Sequence, residues 1–129
     1  MKIENIKFKA KRLDNGEWVE GNLRTSKSGN AMIIPIENSG AYPVKPATVC
    51  QFTGLKDCEG NEIWEGDILQ NINSLNRYTV MYSDFGAFFM RKNGTKDLDM
   101  YLFEPVEKDK CLTFFQVIGN KFDKEGGKA

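Results

Sequence analysis

The chain has 129 residues, 40% of them hydrophobic and 28% charged, with no histidine and 18 basic side chains against 18 acidic ones. That balance fits one ordinary soluble domain or two very small ones. It excludes a global basic field for nucleic acid and every site that needs imidazole: Ser-His-Asp and Cys-His catalysis, His-ligated zinc and the usual neutral-pH proton shuttle.

Taken in chain order, strand signals dominate and no long stretch carries helical periodicity. Ile6, Phe8 and Ala10 alternate with Lys7, Lys9 and Lys11, the period of a strand. Asp14-Asn15-Gly16 supplies hairpin-turn chemistry, because Asn and Gly accept positive φ. Residues 17–24 return as a second strand anchored by Trp18. After a turn at 26–30, residues 31–36 form a third strand, which Pro35 marks as an edge or as about to end. Residues 37–47 hold two prolines and a glycine and read as a connector without regular structure. A second half then opens with a strand at 48–53 and another at 63–72. It turns at 73–76 and continues at 77–83. Asp84-Phe85-Gly86 turns or bulges, 87–92 follows, and Asn93-Gly94 is a further hairpin signal. The last strands are expected at 100–106, which can instead hold one helical turn, and at 112–118. Residues 123–129 read as a disordered tail.

Neither of the longest apolar runs, 31–36 and 85–90, approaches the roughly 18 residues of a membrane span, and the N-terminus has no apolar signal region. Cys50, Cys58 and Cys111 are odd in number and form no CxxC pair, so free thiols in a reducing cytoplasm are expected. Charge is unevenly placed. Residues 1–12 carry five basic side chains and one acidic, whereas residues 57–67 carry five acids and no base. A basic arm and an acidic loop in one chain permit head-to-tail association.

The most specific stretch is residues 48–68, TVCQFTGLKDCEGNEIWEGDI. Thr48, Val49, Gln51, Phe52, Thr53, Gly54, Leu55, Asp57, Gly60, Ile63, Trp64, Glu65, Gly66, Asp67 and Ile68 stand at the spacing of the YopX family motif, and the chain resembles that family of small phage and prophage proteins. Phe8-Lys9-Ala10-Lys11 with Asn15-Gly16-Glu17-Trp18-Val19 is similar to its opening hairpin, and Val117-Ile118-Gly119-Asn120 to its closing strand. Cys58 departs from the pattern, where a polar turn residue is expected. The resemblance implies an all-β fold: an N-terminal hairpin or small sheet with its connector over 1–47, an SH3-like barrel or roll over 48–122, and the tail. It implies no activity.

The residues of the motif themselves point to a folding role. Gly54 and Gly60 suit positive φ, Asp57 can cap its own turn, Ile63 and Trp64 can bury large apolar area, and Gly66-Asp67 redirects the chain. Thr53 completes this structural set. Glu59, Glu62, Glu65 and Asp67 are the one carboxylate group that suits Mg²⁺ or acid-base work; a solvated loop rim is the favoured reading. No G-x-G, GxxxxGK[ST] or [DE]-x-K pattern occurs. Lys7, Lys9 and Lys11 project from one strand face at roughly 6.6–7 Å intervals, a row that can follow the backbone of a single nucleic-acid strand beside Trp18 or Tyr78. Lysines that protect a sheet edge are the favoured alternative. Phe85 to Met90 with Phe114 and Phe115 read as core, with a surplus that suits a subunit interface. Asn93-Gly94-Thr95 matches a glycosylation sequon and reads as a turn.

The sequence therefore predicts a non-enzymatic, cytoplasmic, self-associating β module. It needs no cofactor or metal, contacts an unidentified protein partner and does not contact a membrane. Nucleic-acid binding through Lys7, Lys9 and Lys11 is the runner-up.

Overall fold

The computed structural model describes residues 3–37, 40–84, 86–94, 98–101 and 111–123, the stretch 98–101 by its backbone alone. The chain is mainly β, as expected; the described residues form two antiparallel sheets, with short 3₁₀ turns at Ile3–Asn5 and Pro46–Thr48. It divides into two compact units, Met1–Phe52 and Thr53–Ala129.

The first unit holds β1 (Phe8–Lys11), β2 (Trp18–Thr25), β3 (Ala31–Ile34), β4 (Tyr42–Val44) and the start of β5 (Cys50–Lys56), in the order β4-β3-β2-β1-β5. The β1–β2 hairpin turns at Asn15-Gly16. Gly16 takes φ +73°, and Asn15 Oδ1 accepts the N–H of Glu17 at 2.9 Å. Phe8 and Ala10 face inward with Val19 and Leu23 and pack on a core of Ala31, Ile33 and Val44. Gly21 permits the close approach of β3: a Cβ there would overlap the Ile34 carbonyl oxygen.

The connector reading of 37–47 is corrected. Tyr42-Pro43-Val44 is a strand, paired with β3 through Ala31↔Val44 and Ile33↔Tyr42. It also returns to the end of β1: Arg12 bridges Val44, Leu13 N–H donates to Pro43 O at 3.0 Å, and Lys45 N–H donates to Lys11 O at 2.9 Å. The four strands thus close on themselves. Prolines masked the strand because Pro43 removes one N–H, yet Val44 is buried at 1% exposure and supplies the apolar area that holds the segment. Pro35 stops β3 at Ile34 without making it an edge, since β3 pairs on both sides.

In the second unit the rest of β5 runs beside β6 (Glu62–Trp64). A five-stranded sheet follows, built from β7 (Asp67–Asn71), β8 (Arg77–Tyr82), β9 (Phe88–Lys92), β10 (Leu98–Tyr101) and β11 (Phe115–Asn120), in the order β10-β9-β8-β7-β11. Its core is Leu55, Ile63, Leu69, Val80, Met90 and Leu112, with Tyr78, Phe88, Phe115 and Val117 packed against it. The single strand expected over 63–72 is broken at Glu65-Gly66, where Gly66 takes φ +88° and its N–H donates to Val80 O at 2.8 Å. Gly tolerates that φ, so the chain turns there instead of running on. Of the expected 100–106 strand, only its start coincides with β10. Residues 102–110, Phe85, Thr95 of the sequon and the tail from 124 onward lie outside the described residues.

Candidate functional site

The motif strand β5 changes phase in its middle. Cys50 and Phe52 are buried, then Thr53 and Leu55, so alternation slips by one residue at the boundary between the units. Gly54 takes φ +87°. The Thr53 hydroxyl donates to Ile63 O at 2.6 Å and accepts the Leu55 N–H at 3.1 Å, holding the backbone on either side of Gly54. Ile63 and Trp64, exposed by 0% and 4%, then contribute about 2–3 kcal/mol each through burial.

Asp57 opens the next turn. Its N–H donates to Asn61 O at 2.8 Å, and Gly60, at φ +86°, closes the turn onto Asp57 O at 3.1 Å. The carboxylate is fully buried and takes four hydrogen bonds. Oδ1 accepts the N–H groups of Glu59 and Asn61 at 2.9 and 2.8 Å; Oδ2 accepts Asn61 Nδ2 at 3.2 Å and Val117 N–H at 2.9 Å. Burial alone would push this carboxyl up. The donors from Val117, Asn61 and Glu59 outweigh it and hold the group below the ordinary carboxylate range.

Asp67 is built the same way. Oδ2 accepts the Trp64 N–H at 2.7 Å and Oδ1 accepts Asn120 Nδ2 at 2.9 Å. Asn120, 4% exposed, also reaches Glu65 O at 3.3 Å and accepts the Phe122 N–H at 3.0 Å. Both aspartates therefore fasten β11, Asp57 at Val117 and Asp67 at Asn120. Along the flank of β11, the Cys58 N–H adds a bond to Phe115 O at 3.0 Å. The turn stands where a further strand would pair.

The acidic group is not assembled into a site. Asp67 is committed to Trp64 and Asn120, and Glu59 meets Gln116 Nε2 at 3.3 Å. Among the described residues no three His, Cys, Asp or Glu side chains gather as metal ligands would. Cys58 is exposed, and partial desolvation, then the charges of Asp57 and Glu59, push its thiol up, away from the nucleophilic thiolate. Cys50 is buried and Cys111 half-buried, and neither forms a disulfide.

Lys7, Lys9 and Lys11 do share one face of β1, opposite Phe8 and Ala10. They are half-buried rather than splayed into solvent. The Lys9 and Lys11 ammonium groups lie 4.6 and 5.2 Å from the Trp18 ring centre, and Lys7 lies 4.8 Å from that of Phe52. Cross-strand register explains this, since Lys11 pairs with Trp18 and Lys9 with Glu20. The aliphatic stems cover ring surface while the charged heads reach its negative face.

Of the aromatic surplus, Phe88, Phe89 and Phe115 serve packing, and Phe114 is 55% exposed. Its carbonyl accepts the Ile72 N–H at 2.9 Å, and Ile72 is itself 45% exposed. Leu75, at the tip of the β7–β8 hairpin, is 62% exposed and takes φ +64°, a left-handed conformation that disfavours leucine. Sequence reasoning did not single out Leu75, and it named Asn120 only within the closing stretch Val117-Ile118-Gly119-Asn120. The only local signal for Leu75 was a leucine inside an Asn/Ser turn.

A family model described as YopX protein matches residues 3–125. No curated protein matches the chain.

Proposed function

Since the chain belongs to the YopX family, we propose that it is a non-catalytic interaction module that associates with copies of itself. The observation that carries this is the exposed apolar group Ile72, Leu75 and Phe114. A strained leucine at a hairpin tip costs about 1–2 kcal/mol in the left-handed region, and nothing in the turn itself requires that side chain. Contact with a second copy does. The charge division supports the same reading. The first unit carries eight basic against five acidic residues, the second ten against thirteen, so unlike ends of two copies attract. An SH3-like form of the second unit, a phage or prophage origin, a cytoplasmic location and a further protein partner belong to this reading as well.

Size-exclusion chromatography with light scattering tests it. A mass above the 14.7 kDa monomer, falling to the monomer in a Leu75→Asn, Phe114→Ser variant, is expected. A monomer at every concentration overturns the proposal.

The runner-up is a nucleic-acid interface on the Lys7, Lys9 and Lys11 face, favoured by the presence of Trp18 on that same face. Fluorescence anisotropy with the three lysines changed to glutamate tests it: binding that survives those changes rejects the lysine face.

A further inference from the structure

The five-stranded sheet has a second face. Its inner side carries Leu69, Tyr78, Val80 and Met90 into the core. On the outer side the register places Gln70 opposite Arg77, and Thr79 opposite Arg91, across β7, β8 and β9. Two guanidinium groups therefore stand on adjacent strands, one step along the diagonal from each other.

Arg91 is half-buried. Its Nε is enclosed and has no hydrogen-bond partner, and its guanidinium carbon lies 5.5 Å from the ring centre of Phe89. No ion pair to Arg91 is found among the described residues. A cation withdrawn from water and left without a carboxylate is an unstable arrangement unless an anion completes it. The neighbouring polar groups are turned to the same end. The Thr79 hydroxyl donates to Asn93 Oδ1 at 2.7 Å, and Arg77 Nε donates to Gln70 Oε1 at 3.1 Å. Each amide thus commits its acceptor inside the sheet and leaves its N–H₂ end to meet a ligand. Among the described residues Glu59 engages Gln116, which stands beside Gln70, and bonds neither arginine.

We propose that this face, centred on Arg77 and Arg91, binds the phosphate backbone of a single-stranded nucleic acid. Arginine forks bind phosphate oxygens through two parallel N–H groups, and the amides of Gln70 and Asn93 add donors on either side. Strands are about 4.8 Å apart, so donors on β7, β8 and β9 extend over more than a single phosphate. An extended ligand fits that row better than a small anion. Arg77 and Asn93 are exposed, which leaves their end of the face open to a chain crossing the strands. This site lies in the second unit and does not depend on the self-association proposed above or on the lysine face of the first unit.

Fluorescence anisotropy on the full chain with labelled oligothymidylate at low salt tests it. Binding should weaken roughly tenfold in Arg77→Gln, in line with the loss of one good arginine fork. It should weaken similarly in Arg91→Gln and less in Arg91→Lys. Each Gln change should also lower the salt slope, by about 0.7 for every phosphate the variant no longer neutralises. Arg77 is exposed, so its variant keeps the test valid if Arg91→Gln fails to fold. The lysine-to-glutamate triple variant separates the two faces: binding it retains supports the arginine face, and binding abolished there but kept in Arg77→Gln overturns it. Absence of binding by the native chain overturns it too, as does equal competition by polyglutamate, which would make the ligand an acidic protein.

Discussion

Asp57 and Val117 are sixty positions apart, yet the carboxylate of one accepts the backbone N–H of the other at 2.9 Å. The motif turn at 57–60 thereby takes the place of a neighbouring strand along β11. A backbone donor that would otherwise lie unpaired at a sheet edge meets a buried charge instead, and that charge has three further donors. The motif is a fastening of the chain's last strand to its middle.

Replacing Asp57 by alanine leaves the part-buried N–H groups of Glu59, Asn61 and Val117 without their acceptor. The expected cost is on the order of 2 kcal/mol, the middle of the range for stranded donors. Urea unfolding should show it as a lower midpoint with little change in slope. A variant as stable as the native chain would contradict the fastening role.

The same carboxylate sets a pH response. Its folded-state pKa lies below the unfolded value of about 3.9, so folding favours the ionised form. That contribution is fully present above the unfolded pKa and is lost as pH falls through the lower folded one. Melting temperature followed downward from pH 5 should therefore drop below about pH 4. Asp57→Asn should flatten part of that drop while being less stable at neutral pH.

Gly21 is expected to be intolerant. A Cβ there would overlap the Ile34 carbonyl oxygen, and backbone cannot rotate aside as a side chain does. Gly21→Ala should destabilise by about 3 kcal/mol, the upper end of overpacking costs. Gly16→Ala is the control: its turn has open space, so only the strain of φ +73° applies, about 1 kcal/mol. Equal melting temperatures for the two variants would rule out the close approach.

Leu75 should separate stability from association. Leu75→Asn relieves a left-handed leucine and should stabilise the monomer by about 1 kcal/mol. If Leu75 serves contact with a second copy, the same change weakens the oligomer. Thermal melts at low concentration and light scattering at high concentration should move in opposite directions.

Trp18 is held between Lys9 and Lys11. Trp18→Leu keeps an apolar side chain but removes the ring's negative face. A loss of about 1 kcal/mol is expected for two half-exposed cation–π contacts. A variant with no measurable loss would mean that the ring acts only as apolar cover.

The sequence by itself determined the local terms: the strand alternation of Phe8 and Ala10 against the lysines, the Asn15-Gly16 turn, and the glycines that needed positive φ at 54 and 60. These follow from short-range sterics and periodicity, which a few residues fully express. It also carried the family, because the spacing of residues 48–68 is itself a local pattern. What only the tertiary structure decided are the pairings between distant positions. The strand at Tyr42-Pro43-Val44 exists because Val44 finds Ala31 and Arg12, and its prolines concealed it from any local reading. The acids of the motif are structural because Val117 and Asn120 lie beside them. The lysines are drawn over rings because the β1–β2 register sets Trp18 opposite Lys11. Leu75 and Arg91 stand out only once φ and burial are known. In each case the deciding free energy comes from burial or from a hydrogen bond completed across many residues of chain, and a linear sequence does not display which partner will complete it.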